Sequence, residues 1–214
     1  MNLHPISKGA LSIVLSQLKL FDEPKVRLEQ YPTDSQVAAE LLWTAFQLGD
    51  IQNKTIADFG AGCGILGIGA LLLGAKEVFF VESEKKALSI AQKNLHTVME
   101  NHHISGNASF VLDSVINFSK PVDCVIQNPP FGTREKGADI LFLKAAFLNA
   151  PIIYSFHKTI TRNYIQKVSS TAEYTVTHIF PYQLPLKATL AQHTRKIHRI
   201  DVTAFRLEKQ KVYK

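Results

Sequence analysis

The sequence predicts an α/β fold: a seven-stranded, mostly parallel sheet with an antiparallel carboxyl-terminal strand and helices on both faces. Three observations carry this expectation. Short apolar runs alternate with helical patterns from residue 55 to residue 169, the mark of strand-helix-strand units. A glycine-rich turn, Asp58-Phe59-Gly60-Ala61-Gly62-Cys63-Gly64, stands where the first strand feeds the first of those helices. The last two apolar runs have no helix between them and should therefore lie antiparallel. With 214 residues, 46% of them hydrophobic, the chain is long enough to bury one core, and a single domain is expected.

In chain order, Leu11, Val14, Leu15 and Leu18 recur at helical spacing and predict a short amphipathic helix, which Pro24 keeps from extending. Residues 34–48 predict a second helix. Thr33 or Asp34 is its cap, Val37, Leu41, Leu42, Ala45 and Phe46 share one face, and Gly49 is its stop. Strands are then expected at 55–59, 77–81, 108–112, 122–127 and 151–156, with helices at 65–73, 85–99, 138–149 and 161–169 between them. Strands at 174–180 and 197–207, joined by a long basic connection, complete the sheet. No stretch rich in Pro, Gly or Ser divides the chain, so residues 1–50 are an amino-terminal helical segment on a core of residues 51–214.

Cys63 and Cys124 stand far apart without a second Cys nearby, which supports neither a disulfide framework nor a cysteine-rich zinc site and fits a reducing compartment. No basic region followed by an apolar run opens the chain, and the longest apolar stretch, residues 65–73, is interrupted by two glycines. A soluble, cytoplasmic protein without membrane association is expected. His102-His103 and the pair His193 and His198 lack a third ligand at a recognisable spacing, so no metal is expected. Trp43 reads as core, and Cys63 as a small residue suited to its turn rather than a nucleophile.

Charge is unevenly distributed. The formal net charge is +6, yet residues 151–214 carry eleven Lys and Arg against three Asp and Glu, while the first 150 residues are slightly acidic. A basic third of this kind suits a polyanion, nucleic acid foremost, because each phosphate contact releases counterions. Within it, His157 and Lys158 end the fifth strand near the carboxyl edge of the sheet, and Arg162, Arg195, Lys196 and Arg199 follow; these six are the candidate nucleic-acid contacts.

The glycine turn admits backbone angles closed to other residues and lets a ligand approach the chain without a Cβ in the way. Glu82, at the end of the second strand, is placed to accept hydrogen bonds from both hydroxyls of a ribose. The third glycine of a dinucleotide fingerprint is missing, its place taken by Ile65, and no Gly-Lys-Ser/Thr ends the turn, so a nucleoside without pyrophosphate is expected.

Asn128-Pro129-Pro130-Phe131, after the fourth strand, is the most specific signal. An exocyclic amine conjugated to a ring or carbonyl is a poor nucleophile because its lone pair is delocalised. An Asn side-chain oxygen and the carbonyl of the following Pro can accept both of its hydrogens and aim the nitrogen at a methyl group. The prolines stiffen the corner, and Phe131 can stack on a base drawn out of its helix.

The glycine turn with its acids resembles the first motifs of class I, Rossmann-like methyltransferases that use S-adenosylmethionine. That resemblance implies Asp58 near the methionine ammonium, Gly60 and Gly62 along the cofactor, Glu82 on the ribose and Asp113, followed by Ser114, on the adenine amine. The Asn-Pro-Pro-Phe tetrad is similar to that of methyltransferases acting on adenine N6, cytosine N4 or glutamine amide.

Taken together, Glu29-Gln30-Tyr31-Pro32-Thr33, the turn at 58–64, residues 128–133, Lys136-Gly137 with Asp139 and Phe142-Leu143, and Tyr154-Ser155-Phe156-His157-Lys158 with Thr161-Arg162 resemble the methyltransferase-like five family from about residue 20 to residue 207. The resemblance implies methylation of adenine N6 in small-subunit ribosomal RNA, naked or in an assembling subunit. It also implies Gln30, Tyr31 and Thr33 in the wall of the cofactor site, Asn128 touching donor and acceptor alike, and a small zinc-ribbon activator as partner. The edge strand Ala108-Ser109-Phe110-Val111-Leu112, apolar and without Pro or Lys, would receive that partner. In the basic run 193–199, Thr194 and Ile197 depart from the family pattern. A protein glutamine methyltransferase and a non-catalytic RNA-binding scaffold are the alternatives.

Overall fold

A computed structural model describes residues 6–20, 33–131, 137–186 and 198–210. Two helices precede the sheet. In α1 (Lys8–Ser16), Ser7 caps the first turn and Leu11, Val14 and Leu15 are buried. In α2 (Ser35–Gln47), Asp34 accepts from the N–H groups of Gln36 and Val37, satisfying donors that the helix start leaves open. Leu41, Leu42 and Ala45 turn inward as expected, with Ala38 and Ala39, while Val37 and Phe46 are only partly covered.

The sheet then alternates with helices: β1 (Thr55–Phe59), α3 (Ile65–Leu72), β2 (Glu77–Glu82), α4 (Lys85–Asn101), β3 (Asn107–Leu112), β4 (Cys124–Gln127), α5 (Ala138–Asn149), β5 (Ile152–Lys158), α6 (Arg162–Thr171), β6 (Tyr174–Leu186) and β7 (His198–Lys209). The strand order is β3-β2-β1-β4-β5-β7-β6, with β1 to β5 parallel and β7 antiparallel to both of its neighbours. The helices α1 to α4 cover one face and α5 and α6 the other, each over its own apolar cluster. Helix α3 lies unusually close: a Cβ on Gly67 would come within 2.4 Å of the Phe80 ring on β2, so this glycine does the helix-to-strand packing that a dinucleotide fingerprint assigns to the position of Ile65.

Two differences from the expected elements matter. Strand β6 runs six residues past Phe180, through Pro181 and Pro185, which pair with Thr203 and Arg199. Proline is tolerated there because β6 is the outermost strand and its missing N–H faces no neighbour. As a result the β6–β7 ladder continues beyond the last β5 pair, Lys158 with Val202, and rises past the carboxyl edge of the sheet. Second, Arg206, counted in the basic third, is buried and ion-paired to Asp50 and Glu208, so it is no part of a polyanion-binding face. Strand β3 is the opposite edge of the sheet. Among the described residues no helix is long and apolar enough to cross a membrane.

Candidate active site

Strand order reverses between β1 and β4, and the crevice above such a point is where an open α/β sheet binds its ligand. Phe59 pairs with Gln127, so the two segments that leave these strands, the glycine turn at 60 and the proline corner at 128, start side by side.

The turn is shaped by backbone angles only glycine adopts freely: φ is +67° at Gly60, +54° at Gly62 and +86° at Gly64. A Cβ on Gly60 would also meet the Phe142 ring at 2.9 Å, which places α5 directly against the turn. Gly64 caps α3 without a side chain to offer, and Asp58 supplies the acceptor instead, taking the Gly67 N–H at 2.8 Å. Burial pushes the Asp58 carboxyl up to about 7; the Gly67 N–H works against this, and the charge of Glu82 adds to it. Glu82 accepts from Gly62 N–H at 2.9 Å with one oxygen and from Glu84 N–H at 2.9 Å with the other, so the acid expected at a ribose also holds the turn in shape. The Ser83 hydroxyl also donates to Oε1 at 3.4 Å, so Oε2, with the Gly62 bond alone, is the oxygen that keeps a lone pair for a further donor. Asp113 is exposed at the end of β3, and its bonds to Ser114 N–H and the Asn117 amide both fall on Oδ1. Burial pushes the Cys63 thiol up to about 11, so it stays protonated in its turn.

At the corner, Asn128 Nδ2 donates to Thr33 Oγ1 at 3.0 Å, and Thr33, just ahead of α2, is itself buried. That bond orients the amide. Asn128 Oδ1 is then left buried with no hydrogen-bond partner among the described residues. Pro129 is buried, Pro130 and Phe131 half-buried, and Phe131 leans on the core while keeping part of its ring accessible. A buried acceptor left unsatisfied beside a glycine-lined crevice suits a ligand that brings its own donors.

The expected RNA contacts divide. Arg162 and Arg199 are exposed and Lys158 half-buried near the same edge. His157 is corrected: it is fully buried, its ring bonded to Ser155 Oγ at 2.8 Å and Asp139 Oδ2 at 3.3 Å, because alternation along β5 turns it under α5 and α6. Gln30, Tyr31, Arg195 and Lys196 lie outside the described residues. Asn94 escaped the sequence reading: from α4 its amide donates to the carbonyls of Cys63 and Lys19, and its oxygen accepts Lys19 N–H, tying the turn to the end of the α1 segment. A polar residue on the apolar stripe of Ala87, Leu88, Ala91, Leu95 and Val98 was the available signal.

Residues 33–150 match the family model described as the methyltransferase small domain. The chain is 37% identical to the rRNA N6-adenosine-methyltransferase METTL5 of Danio rerio, over 92% of this chain and 96% of that protein. It is similar in structure to a Pyrococcus horikoshii protein put forward as an RNA methyltransferase, with a TM-score of 0.84 and 42% identity, covering 94% of this chain and 96% of the other. The fold is shared more widely, as with the magnesium protoporphyrin IX methyltransferase of Synechocystis PCC 6803, solved with S-adenosylmethionine bound (TM-score 0.64, 13% identity, 82% of this chain and 79% of that one).

Proposed function

We infer, since the chain belongs to the family of rRNA N6-adenosine methyltransferases, that it transfers the methyl group of S-adenosylmethionine to N6 of an adenosine in ribosomal RNA, that of the small subunit. The observation that carries this reading is Asn128, whose Nδ2 is committed to Thr33 while its buried Oδ1 has no partner. An adenine amine brings two N–H donors; Asn128 Oδ1 takes one and the Pro129 carbonyl the other, which turns the nitrogen lone pair toward the crevice and stabilises the positive charge that grows on it. The cofactor, when bound, supplies a sulfonium-activated methyl group. Of the residues around it, Asp58 faces its ammonium, Gly60 and Gly62 let it approach bare backbone, Glu82 takes the ribose and Asp113 the adenine. Thr33 lies in the wall through its bond to Asn128, which gives the segment 1–50 its part in the site, and the family resemblance assigns Gln30 and Tyr31 to the same role. Phe131 stacks on the extruded base. The nitrogen becomes acidic once methylated and releases its proton to water, so alignment does most of the work.

Lys158, Arg162 and Arg199, with Arg195 and Lys196, hold the RNA backbone. The β3 edge, with Leu112 at its end and Ile116 in the turn after it both more than half exposed, suits a strand from a small zinc-ribbon activator. Labelled methyl transfer to isolated ribosomal RNAs and subunits is the test. Label on small-subunit RNA, recovered as N6-methyladenosine, is expected; label only on a protein glutamine, or none, overturns the reading.

A further inference from the structure

Directly under the proline corner, on the α5 side of the sheet, lie four polar side chains in a line. Gln127 Nε2 donates to Ser155 Oγ at 2.9 Å, Ser155 Oγ is 2.8 Å from His157 Nε2, and His157 Nδ1 is 3.3 Å from Asp139 Oδ2. Gln127, Ser155 and His157 are fully buried. The proton positions follow from the two ends. An amide NH2 can only donate and a carboxylate can only accept, so in the tautomer with its hydrogen on Nδ1 the His157 ring donates to Asp139 and accepts the Ser155 hydroxyl hydrogen at Nε2. In that tautomer the line runs one way, from the Gln127 amide to the Asp139 carboxylate. Burial would raise the Asp139 carboxyl, yet His157, together with the N–H groups of Ile140 and of Asp139 itself at the start of α5, holds it below its ordinary value. Gln127 Oε1 is left buried without a partner among the described residues, a defect that an apolar core would avoid.

The placement of the ends is what gives the line a purpose. Gln127 immediately precedes Asn128, and Asp139 lies in the first turn of α5, so the two bracket the segment 128–137 that contains the acceptor corner. Helix α5 also carries Phe142 against Gly60 of the cofactor turn. We propose that Gln127, Ser155, His157 and Asp139 form a directional hydrogen-bond relay that sets the acceptor corner relative to the donor-binding turn, making Ser155 and His157 positioning residues for methyl transfer. The relay rests on the functional reading above for its effect on rate, but its effect on the corner does not depend on it.

Three variants and two readouts test it. Ser155→Ala removes one hydroxyl and His157→Phe keeps the ring without its nitrogens. Each lowers kcat on ribosomal RNA by about 10²-fold, the scale of a misplacement near 1 Å, with KM for RNA and affinity for S-adenosylmethionine unmoved. His157→Gln, whose amide can accept from Ser155 and donate to Asp139, recovers most of the loss. A folded Ser155→Ala protein with unchanged kcat, a defect confined to donor affinity, or a His157→Gln protein as impaired as His157→Phe overturns the proposal. The second readout needs no RNA: the side-chain NH2 resonances of Asn128 in the 15N-labelled protein shift or broaden in Ser155→Ala. Unchanged resonances overturn the relay whatever the substrate is, and wild-type protein inactive on ribosomal RNA overturns the functional reading alone.

Discussion

The cluster around Asp50 and the corner around Asn128 are both polar and buried, and they differ in how completely they are satisfied. Asp50 accepts from Tyr154 OH at 2.6 Å and from Arg206 at 2.7 and 3.1 Å, while Arg206 directs its two Nη1 donors to Thr177 and Glu208 at 2.8 Å each. Burial and then the bond to Asp50 raise the Tyr154 phenol well above its usual range, so it remains a donor. The cluster is closed and ties the segment after α2 to β5 and β7. At the corner, Asn128 has, among the described residues, only the bond to Thr33 and an open acceptor, and nearby Asp58 has a carboxyl raised to about 7. A buried cluster in which each polar atom has a partner holds the fold; a buried acceptor without one waits for a ligand.

Three measurements can break that comparison. The largest effect belongs to Asn128→Ala, expected to lower methyl transfer by about 10³-fold, as loss of an aligned transition-state partner does. Thermal midpoint and donor affinity should stay near wild type, and a matching loss of stability would make the open acceptor a structural one. Next, Asp50→Asn or Arg206→Met should cost about 3–5 kcal/mol in chemical denaturation by stranding a buried charge, whereas replacing both with apolar residues should restore much of it. If the single variants unfold no more easily than wild type, the closed cluster is not what holds the two ends of the chain.

The smallest effect is on pH. Asp58 has a folded pKa above its unfolded value, so its contribution to stability is complete below the ordinary carboxyl range near 4 and is lost as pH rises through about 7. A donor ammonium prefers the carboxylate, so donor affinity should run the opposite way, falling by up to about tenfold per unit as pH drops below 7. Calorimetry in buffers of different ionisation heat should show proton release on binding in that window. Asp58→Asn should flatten the profile, and a profile that persists in this variant would assign the proton elsewhere.

Much of the site was legible because its chemistry is local. The glycines at 60, 62 and 64, Glu82 at a strand end and the tetrad at 128–131 are each contiguous or set by one strand-helix-strand repeat, and the structure gathers them at the reversal of strand order. Thr33 was read from the resemblance, and its bond to Asn128, 95 residues away, has no local signature. The misreadings share one cause. His157 looked like a strand-end residue free to meet RNA, because alternation says which side a residue takes but not whether a helix covers that side. Strand β6 looked finished at Pro181, because only the sheet order reveals that it is the edge where proline is harmless.

The sequence by itself determined the order of strands and helices, the turn that bares its backbone and the corner that presents an amide, since each depends on residues within a few positions of one another. The tertiary structure alone decided that Arg206 is neutralised by Asp50 from 156 residues away and that Gln127, Ser155, His157 and Asp139 line up beneath the corner. Hydrogen bonds and ion pairs between distant segments depend on which strands become neighbours, and that is settled only when the whole sheet closes over its two apolar faces.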